Sequence, residues 1–325
     1  MVKLCKQFDS GVIIMVIIVK KIVYLLLTLG INLYVCSFIS SKLPARIELR
    51  RGYLETKARG LAYPFIKLFK YLSKDYKLNI WDFFIFLFSF LIWTVVPITS
   101  SLILVDVDFS LLAGLVFYSI LLFLNLANLS NTSQELVFSN VTKKIGMIFT
   151  FFIPILLCSA SVVLINRTIS LKDMVNYQYQ YWNIIYQPLG FIIVFASILL
   201  QFKLLGITKQ NSVLFSENRE KEGAGIGRLI TRLSGYSIIF FLIILINIFY
   251  LGGWQNIYFI KGEIVLALKF YIIFVILLFL DKATPKLNNY YYLASINWKF
   301  LVPISVVNFA ITLVFFILRN VYKLI

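Results

Sequence analysis

Few residues in this chain are of types that could catalyse a reaction or bind a cofactor. The residue types that are absent restrict the possible functions most. The 325 residues include no histidine, which excludes a histidine-ligated haem and a histidine-based metal site within the chain. The three cysteines, Cys5, Cys36 and Cys158, are far apart and have no Cys-x-x-Cys spacing. We therefore predict that the chain holds no metal, no iron–sulfur cluster and no disulfide framework.

Two charged residues are the best candidates for a protonatable group. Lys269 lies within a long apolar run, where a lysine costs about 2.5–3.5 kcal/mol unless it faces protein or water. It is either a charge-coupling or proton-relay group, or a side chain that extends to the lipid headgroups. In the first case, Lys269→Ala should reduce coupling more than assembly. Glu222 ends the charged run 217–222 and is either a solvated charge or a carboxylate that tunes a neighbouring pKa or passes a proton.

The composition around these residues is that of a membrane protein. Hydrophobic residues make up 61% of the chain and charged residues 14%, with a mean hydropathy of +0.90. Soluble domains are usually about 45–50% apolar and about 25% charged. So little charge cannot cover a water-facing surface, and the apolar surplus must face lipid. Because no soluble domain is evident, we attribute the net charge of +17 to membrane topology rather than to nucleic-acid binding.

Apolar runs of about 20 residues predict an all-α integral membrane protein with about eight transmembrane helices. We expect one polytopic domain over residues 1–325, with almost no acidic residue inside its spans. Residues 11–39 do not resemble a cleaved signal peptide, because Lys20 and Lys21 interrupt the run. The predicted spans are 12–39, 80–105, 109–129, 145–166, 181–202, 235–253, 263–281 and 300–318.

The predicted loops alternate in charge. Loops after the first, third, fifth and seventh spans are basic, whereas the others carry few cations. The positive-inside rule places the basic loops in the cytoplasm or matrix and both termini on the opposite side. Two basic loops are long, at 41–79 and 203–234. Within the first, residues 64–72 have apolar positions at helical spacing with two lysines between them, which predicts a helix lying in the interface.

Several short motifs occur in an order and spacing that fit these spans. They are Glu48-x-Arg50-x-Gly52, Gly60-Leu61 with Pro64 and Lys70, Lys172-Asp173-Met174-Val175-Asn176-Tyr177-Gln178-Tyr179-Gln180, Leu251-Gly252-Gly253-Trp254 and Trp298-Lys299-Phe300-Leu301-Val302-Pro303. Together with Lys269 in the seventh span, this set resembles the H subunit family of respiratory complex I, the NADH-quinone oxidoreductase. The related membrane subunits of energy-converting hydrogenases share the pattern.

The resemblance implies a membrane-arm subunit that forms the quinone-access chamber and links quinone reduction to proton translocation. It implies quinone as substrate, and as partners the lipid bilayer and other membrane and peripheral-arm subunits, with no nucleic acid. The location would be a bacterial or mitochondrial inner membrane, and catalysis would need the whole complex. Lys269 and Glu222 would take part in proton transfer. The implied chamber and docking residues are Arg50, Arg51, Gly52, Arg59, Gly60, Pro64 and Lys70, and the structural residues are Trp254, Trp298 and Pro303.

The chain departs from this family where the family has carboxylates. The family's Glu-Tyr in the sixth span is Gly235-Tyr236 here, its Ser-Tyr-Glu falls near Phe151-Phe152, and the acids of its fifth loop fall on neutral residues from 201 onward. Three alternatives therefore stay open: a membrane subunit of a hydrogenase, a paralogue that has lost coupling, and a transporter. A transporter would often show paired repeats, and we find none in the sequence.

Overall fold

The computed structural model describes residues 2–49, 60–74, 79–99, 102–130, 135–205, 225–257, 259–284 and 290–322. Within these ranges the chain is helical and forms no strand, which confirms the predicted all-α class. The helices are α1 (Val2–Ile47), α2 (Tyr63–Leu72), α3 (Ile80–Val95), α4 (Ser110–Ser130), α5 (Glu135–Asn166), α6 (Leu171–Tyr177), α7 (Asn183–Tyr186), α8 (Pro188–Leu205), α9 (Ile226–Tyr250), α10 (Gly262–Ala283), α11 (Tyr290–Ile296) and, after the π-helical segment Asn297–Leu301, α12 (Val302–Tyr322).

Helix α9 lies at the centre of the bundle. Every residue from 237 to 250 is buried, so this part of the helix is enclosed on all sides. A helix that is apolar all round needs such a position, or lipid, to bury its surface. Helices α3, α4, α8 and α10 pack along it. The fold therefore places α9 in contact with most of the elements that could form a site.

The other helices form an outer layer with broad apolar faces. Helix α5 packs against α4, α8 and α12, and α1 packs against α10 and α2. Helix α1 between residues 15 and 31, and α12 between residues 304 and 318, leave large apolar side chains exposed, as helices that face lipid do. Examples are Val16, Leu27 and Ile31 on α1 and Val307, Ile311 and Phe315 on α12.

Length and hydropathy support fewer spans than the predicted eight. In the described residues, four helical stretches are long and apolar enough to cross a membrane: 15–47, 226–250, 262–283 and 292–319. A fifth candidate is the pair 150–166 and 171–177, which is bent by 56°. The other three predicted spans coincide with the shorter apolar helices α3, α4 and α8.

At two predicted spans the main helix is shorter than the span, and proline explains both differences. The span predicted at 80–105 ends as a helix at Val95, because Val96 is extended before Pro97 and a residue before proline avoids the helical region. The span predicted at 181–202 becomes α8 only from Pro188, which occupies a first-turn position that proline tolerates. Residues 96–99, 102–105 and 181–187 therefore lie outside the long helices α3 and α8, and four of them form the short helix α7.

Residues that the sequence predicts on the same side of the membrane contact one another in the structure. On the less basic side, Lys172 forms an exposed ion pair of 2.7 Å with Asp106. On the same side, the Arg319 guanidinium donates to the Tyr177 hydroxyl at 3.3 Å. On the basic side, the end of α1 contacts the end of α10, and α2 contacts α9. The two faces are called the basic face and the opposite face below.

Candidate functional site

A row of four aromatic rings crosses from α9 to α10 near α1. Ring centroids are 5.8 Å apart for Tyr236 and Phe240, 5.2 Å for Phe240 and Phe270, and 5.4 Å for Phe270 and Tyr271. Two of the three contacts are edge-on, the arrangement that aromatic pairs prefer. This aromatic row forms an apolar wall in the half of the bundle that α1 covers.

The two tyrosines of the aromatic row bind polar groups of α1. The Tyr236 hydroxyl shares a hydrogen bond of 2.9 Å with the Ser40 hydroxyl. The Tyr271 hydroxyl donates to Asn32 Oδ1 at 2.6 Å. The wall is thus apolar along its length, with polar groups at the two tyrosine hydroxyls. This pattern is expected where a ligand has an apolar body and a few oxygen atoms.

Gly235, which precedes Tyr236 of the aromatic row, has open space at its side-chain position. A Cβ built on this buried glycine meets no described heavy atom within 4 Å. In contrast, a Cβ on Gly190 of α8 would stand 2.6 Å from the Tyr250 hydroxyl. A side chain at Gly235 would therefore have room, whereas one at Gly190 would not.

Helix α2 lies at the basic-face end of this region. Gly60 adopts φ +87°, a left-handed conformation that favours glycine, and its carbonyl accepts from Tyr63 N–H at 3.1 Å. Pro64 lies in the first turn of α2, where its missing N–H costs nothing. The Tyr34 hydroxyl of α1 donates to the Leu61 carbonyl at 2.6 Å. These contacts set α2 against α1.

The structure brings together only part of the predicted docking set. Gly60 and Pro64 lie at the start of α2, close to α1, whereas Lys70 is exposed on the same helix. The helix predicted at 64–72 is confirmed as α2, which buries none of its residues fully. The predicted residues Arg50, Arg51, Gly52, Arg59 and Glu222 lie outside the described residues.

An ion pair ties the basic-face ends of α1 and α10. The Lys282 ammonium donates to Glu48 Oε1 at 2.8 Å, and their side chains are 7% and 24% exposed. A partly buried pair loses less to solvent screening than an exposed one. The pair therefore fixes the end of α1 beside the end of α10.

We expect Glu48→Gln to lower the stability of the protein, because it removes the negative charge that faces the mostly buried Lys282 ammonium. Truncating one member of a buried charge pair costs about 2–5 kcal/mol, and the partial exposure of Glu48 places this case near the lower value. The thermal unfolding midpoint measures the change. Asp106→Asn is the matched control, because it breaks an ion pair of similar length whose side chains are about half exposed. Equal shifts in the two variants would contradict the expectation.

Lys269 lies at the opposite face rather than beside the aromatic row. Its ammonium donates to the Leu251 carbonyl, and to the Gly253 carbonyl at 3.3 Å, just after α9 ends. It also stands 4.4 Å from the ring centroid of Trp182. A helix C-terminus carries partial negative charge, so the cation is favoured there. Lys269 therefore binds protein groups at the turn that follows α9.

Sequence reasoning missed three buried ionisable residues. Asp82 of α3 is fully buried and accepts from Asn128 Nδ2 of α4 at 2.6 Å. Asp281 of α10 is buried near Lys203 of α8, close enough for an electrostatic attraction. Two of the few acids inside the predicted spans are therefore buried. Each acid lies at the edge of its predicted span, where sequence alone resembles a solvated end.

The predicted structural residues differ in environment. Trp254 is buried after α9, Trp298 is about half exposed in the π-helical segment, and Pro303 lies in the first turn of α12. The buried Gln178 amide holds the same opposite-face region together, because it donates to the Ile248 carbonyl at 2.6 Å and accepts from Gly252 N–H at 3.1 Å.

Comparison with known proteins agrees with the motifs. A family model described as NADH dehydrogenase matches residues 20–313. The chain is 30% identical over 174 residues to the H subunit of the NADH-quinone oxidoreductase of Geobacillus thermodenitrificans, which covers 52% of each chain. It is 25% identical over 235 residues to the protein of that name from a Geobacillus species, covering 69% of this chain and 68% of the relative. In Rhizobium etli, the second such protein is 28% identical over 177 residues, covering 51% and 49%. The chain thus spans about half to two thirds of the length of these curated relatives.

Proposed function

The chain belongs to the NADH dehydrogenase family, and on that premise we propose that it is the H-type membrane subunit of an NADH-quinone oxidoreductase, respiratory complex I. It acts within a complex of other membrane and peripheral-arm subunits and is not catalytic alone. The protein is located in the inner membrane of a bacterium or mitochondrion. Quinone is the substrate of the complex.

We propose that the quinone chamber lies along α1, α9 and α10, with α2 at its mouth. The aromatic row carries this proposal, because an isoprenoid tail needs an apolar passage and the row supplies one next to open space at Gly235. The Tyr236–Ser40 and Tyr271–Asn32 hydrogen bonds offer hydroxyl and amide groups to quinone oxygens. The undescribed residues Arg50, Arg51, Gly52 and Arg59 belong to the proposed mouth.

We propose eight spans in a single domain over residues 1–325. The short apolar helices α3, α4 and α8, added to the four long stretches and the bent pair, give that number. The ion pairs of the basic face and of the opposite face involve different loops and helix ends, which supports eight spans. With that number, α3 runs from the basic face to the opposite face and α4 runs back. The basic face lies in the cytoplasm or matrix.

Proton coupling would use the ionisable groups that lie inside the bundle. Asp82 and the Asp281–Lys203 neighbours are the buried candidates, because they place two carboxylates inside the bundle. Glu222 adds a carboxylate near the chamber, by resemblance. Lys269 contributes through its fixed charge at the end of α9.

Gly235→Trp tests the chamber, because an indole placed in the open space beside α9 should obstruct a long isoprenoid tail. We expect the KM for a long-tailed quinone to rise about tenfold or more, and the KM for a short-tailed analogue to change little. Steady-state NADH oxidation by the assembled complex gives both constants. Gly30→Trp is the control, since Gly30 of α1 is exposed and equally free of neighbours. Equal effects on both quinones would place the chamber elsewhere.

Deletion of the gene, with complementation, tests the proposal as a whole. Membranes that lack the chain should lose NADH:quinone reductase activity, and native gels should lose the intact complex. Normal activity together with normal assembly would refute the proposal. Co-purification with a nickel hydrogenase in place of NADH-oxidising subunits would assign the chain to a hydrogenase.

A further inference from the structure

Three cations gather between α2 and α9 at the basic face. Lys67 extends from α2 toward α9, where Arg228 and Arg232 are one turn apart on the same side of the helix. Burial, and then repulsion from Arg232 and Arg228, lowers the pKa of Lys67 from 10.5 to about 7. The fold thus brings together charges that repel one another.

Aromatic rings hold two of these cations in place. The Arg232 guanidinium lies 5.4 Å from the ring centroid of Tyr71, and the Lys67 ammonium 5.7 Å from that of Tyr63. In the part of the chain that the structure describes, neither Lys67 nor Arg232 forms an ion pair with a carboxylate. A preorganised group of cations of this kind suits an anion with several oxygens.

The surroundings of the cluster indicate which anion it takes. Helix α2 exposes Phe65, Phe69 and Leu72, so apolar side chains lie on the same short helix as Lys67. A helix with cations on one face and exposed apolar residues on another lies at the level of the headgroups. Basic pockets between helices on the cytoplasmic or matrix side bind anionic headgroups. A small soluble anion would give no role to the exposed apolar side chains.

We propose that Lys67 and Arg232, with Arg228 beside them, bind the phosphate of an anionic phospholipid whose acyl chains lie along the apolar face of α2. This site does not depend on quinone chemistry. The bound headgroup would relieve the repulsion between the cations and fix α2 against α9. Other occupants, such as an acidic segment of a partner or residues 217–222 of this chain, are outcomes of the test.

The experiment uses the purified complex in vesicles of phosphatidylcholine alone or with phosphatidylglycerol, followed by mass spectrometry of retained lipid. We expect the wild-type complex to retain phosphatidylglycerol, and the Lys67→Gln/Arg232→Gln variant to bind it about 25-fold more weakly, since each of the two removed cations contributes about a factor of five. Lys74→Gln/Lys299→Gln is the matched control, because it removes two exposed cations from the basic face. Lys67→Arg should retain the lipid.

The pH dependence gives a second readout that a loss of folding would not imitate. Binding an anion favours the charged form of Lys67, so affinity for phosphatidylglycerol should fall as pH rises through about 7 in the wild type, but not in Lys67→Arg. The other titratable or charged groups that face Lys67 are Tyr63, Tyr71, Arg228 and Arg232.

Four results would overturn the proposal. They are equal lipid retention in the cation variant and its control, displacement of the lipid by millimolar inorganic phosphate, a flat pH profile in the wild type, and lipid binding that appears only after Glu217, Glu220 and Glu222 are changed to Gln. The last result would mean that the chain's own acidic segment fills the site.

Discussion

Gly262→Ala is expected to prevent the folded protein from accumulating. A Cβ at this position would stand 1.8 Å from the carbonyl oxygen of Trp254 and 2.8 Å from its carbonyl carbon. These are backbone atoms, so no side-chain rotation relieves the overlap. The Gly262 N–H also donates to Asn256 Oδ1 at 2.6 Å, which fixes the start of α10 against the same turn. We expect a loss of at least about 4–5 kcal/mol, the extreme of single substitutions.

The amount of assembled complex in native gels, with the chain detected by antibody, measures this effect. Gly30→Ala is the matched control, because a Cβ there meets nothing within 4 Å and alanine favours a helix. The control should assemble at the wild-type level or slightly above it. Normal assembly of Gly262→Ala would show that the 254–262 turn relaxes freely, and that the close contact with Trp254 does not define the native fold.

The turn that Gly262 closes illustrates what sequence can and cannot predict. The Leu251-Gly252-Gly253-Trp254 motif indicated the family, and both glycines have positive φ, +71° and +51°, which explains why glycine is needed there. Nothing in the sequence indicated that Gly262, eight residues after Trp254, would approach its carbonyl. Such a contact depends on the tertiary path of the chain and has no local pattern.

The same distinction separates the predicted spans from the observed helices. Hydropathy located a helix in every predicted span, because apolar runs of this length have few other stable forms in lipid. The exact ends depended on Pro97 and Pro188, whose local effects were readable but were outweighed by the apolar run around them. A window that averages over about 20 residues does not register a single proline.

Buried polar groups were the part of the site that sequence predicted least well. Asp82 is buried because Asn128, 46 residues later, donates to it, and no local pattern pairs these two residues. The same holds for Tyr271 and Asn32, which are 239 residues apart. The aromatic abundance of the chain favoured an aromatic passage, but which rings form the row depends on the packing of α9 against α10.

Lys269→Met is expected to reduce assembly of the complex strongly, in addition to any effect on proton translocation. Methionine keeps most of the length but cannot donate to the Leu251 and Gly253 carbonyls, and it has no charge for the Trp182 ring or the end of α9. Hydrogen bonds from a charged donor contribute about 1.5–3 kcal/mol each, and the carbonyls would lose their partner at a mostly buried turn. Lys269→Arg should restore much of the assembly, because it keeps the charge and the donors.

Native gels, NADH:quinone reductase activity and proton pumping in the same vesicles separate the two roles of Lys269. The matched control is Lys261→Met, which removes an exposed lysine just before α10 and should leave all three measurements unchanged. Normal assembly with lost pumping would assign Lys269 to charge coupling, as the sequence alone suggested. Parallel losses of assembly and pumping that Lys269→Arg rescues would make it a positioning residue. If all three measurements were unchanged, Lys269 would not belong to the site. Its contacts with the two carbonyls would then contribute neither to assembly nor to activity nor to pumping.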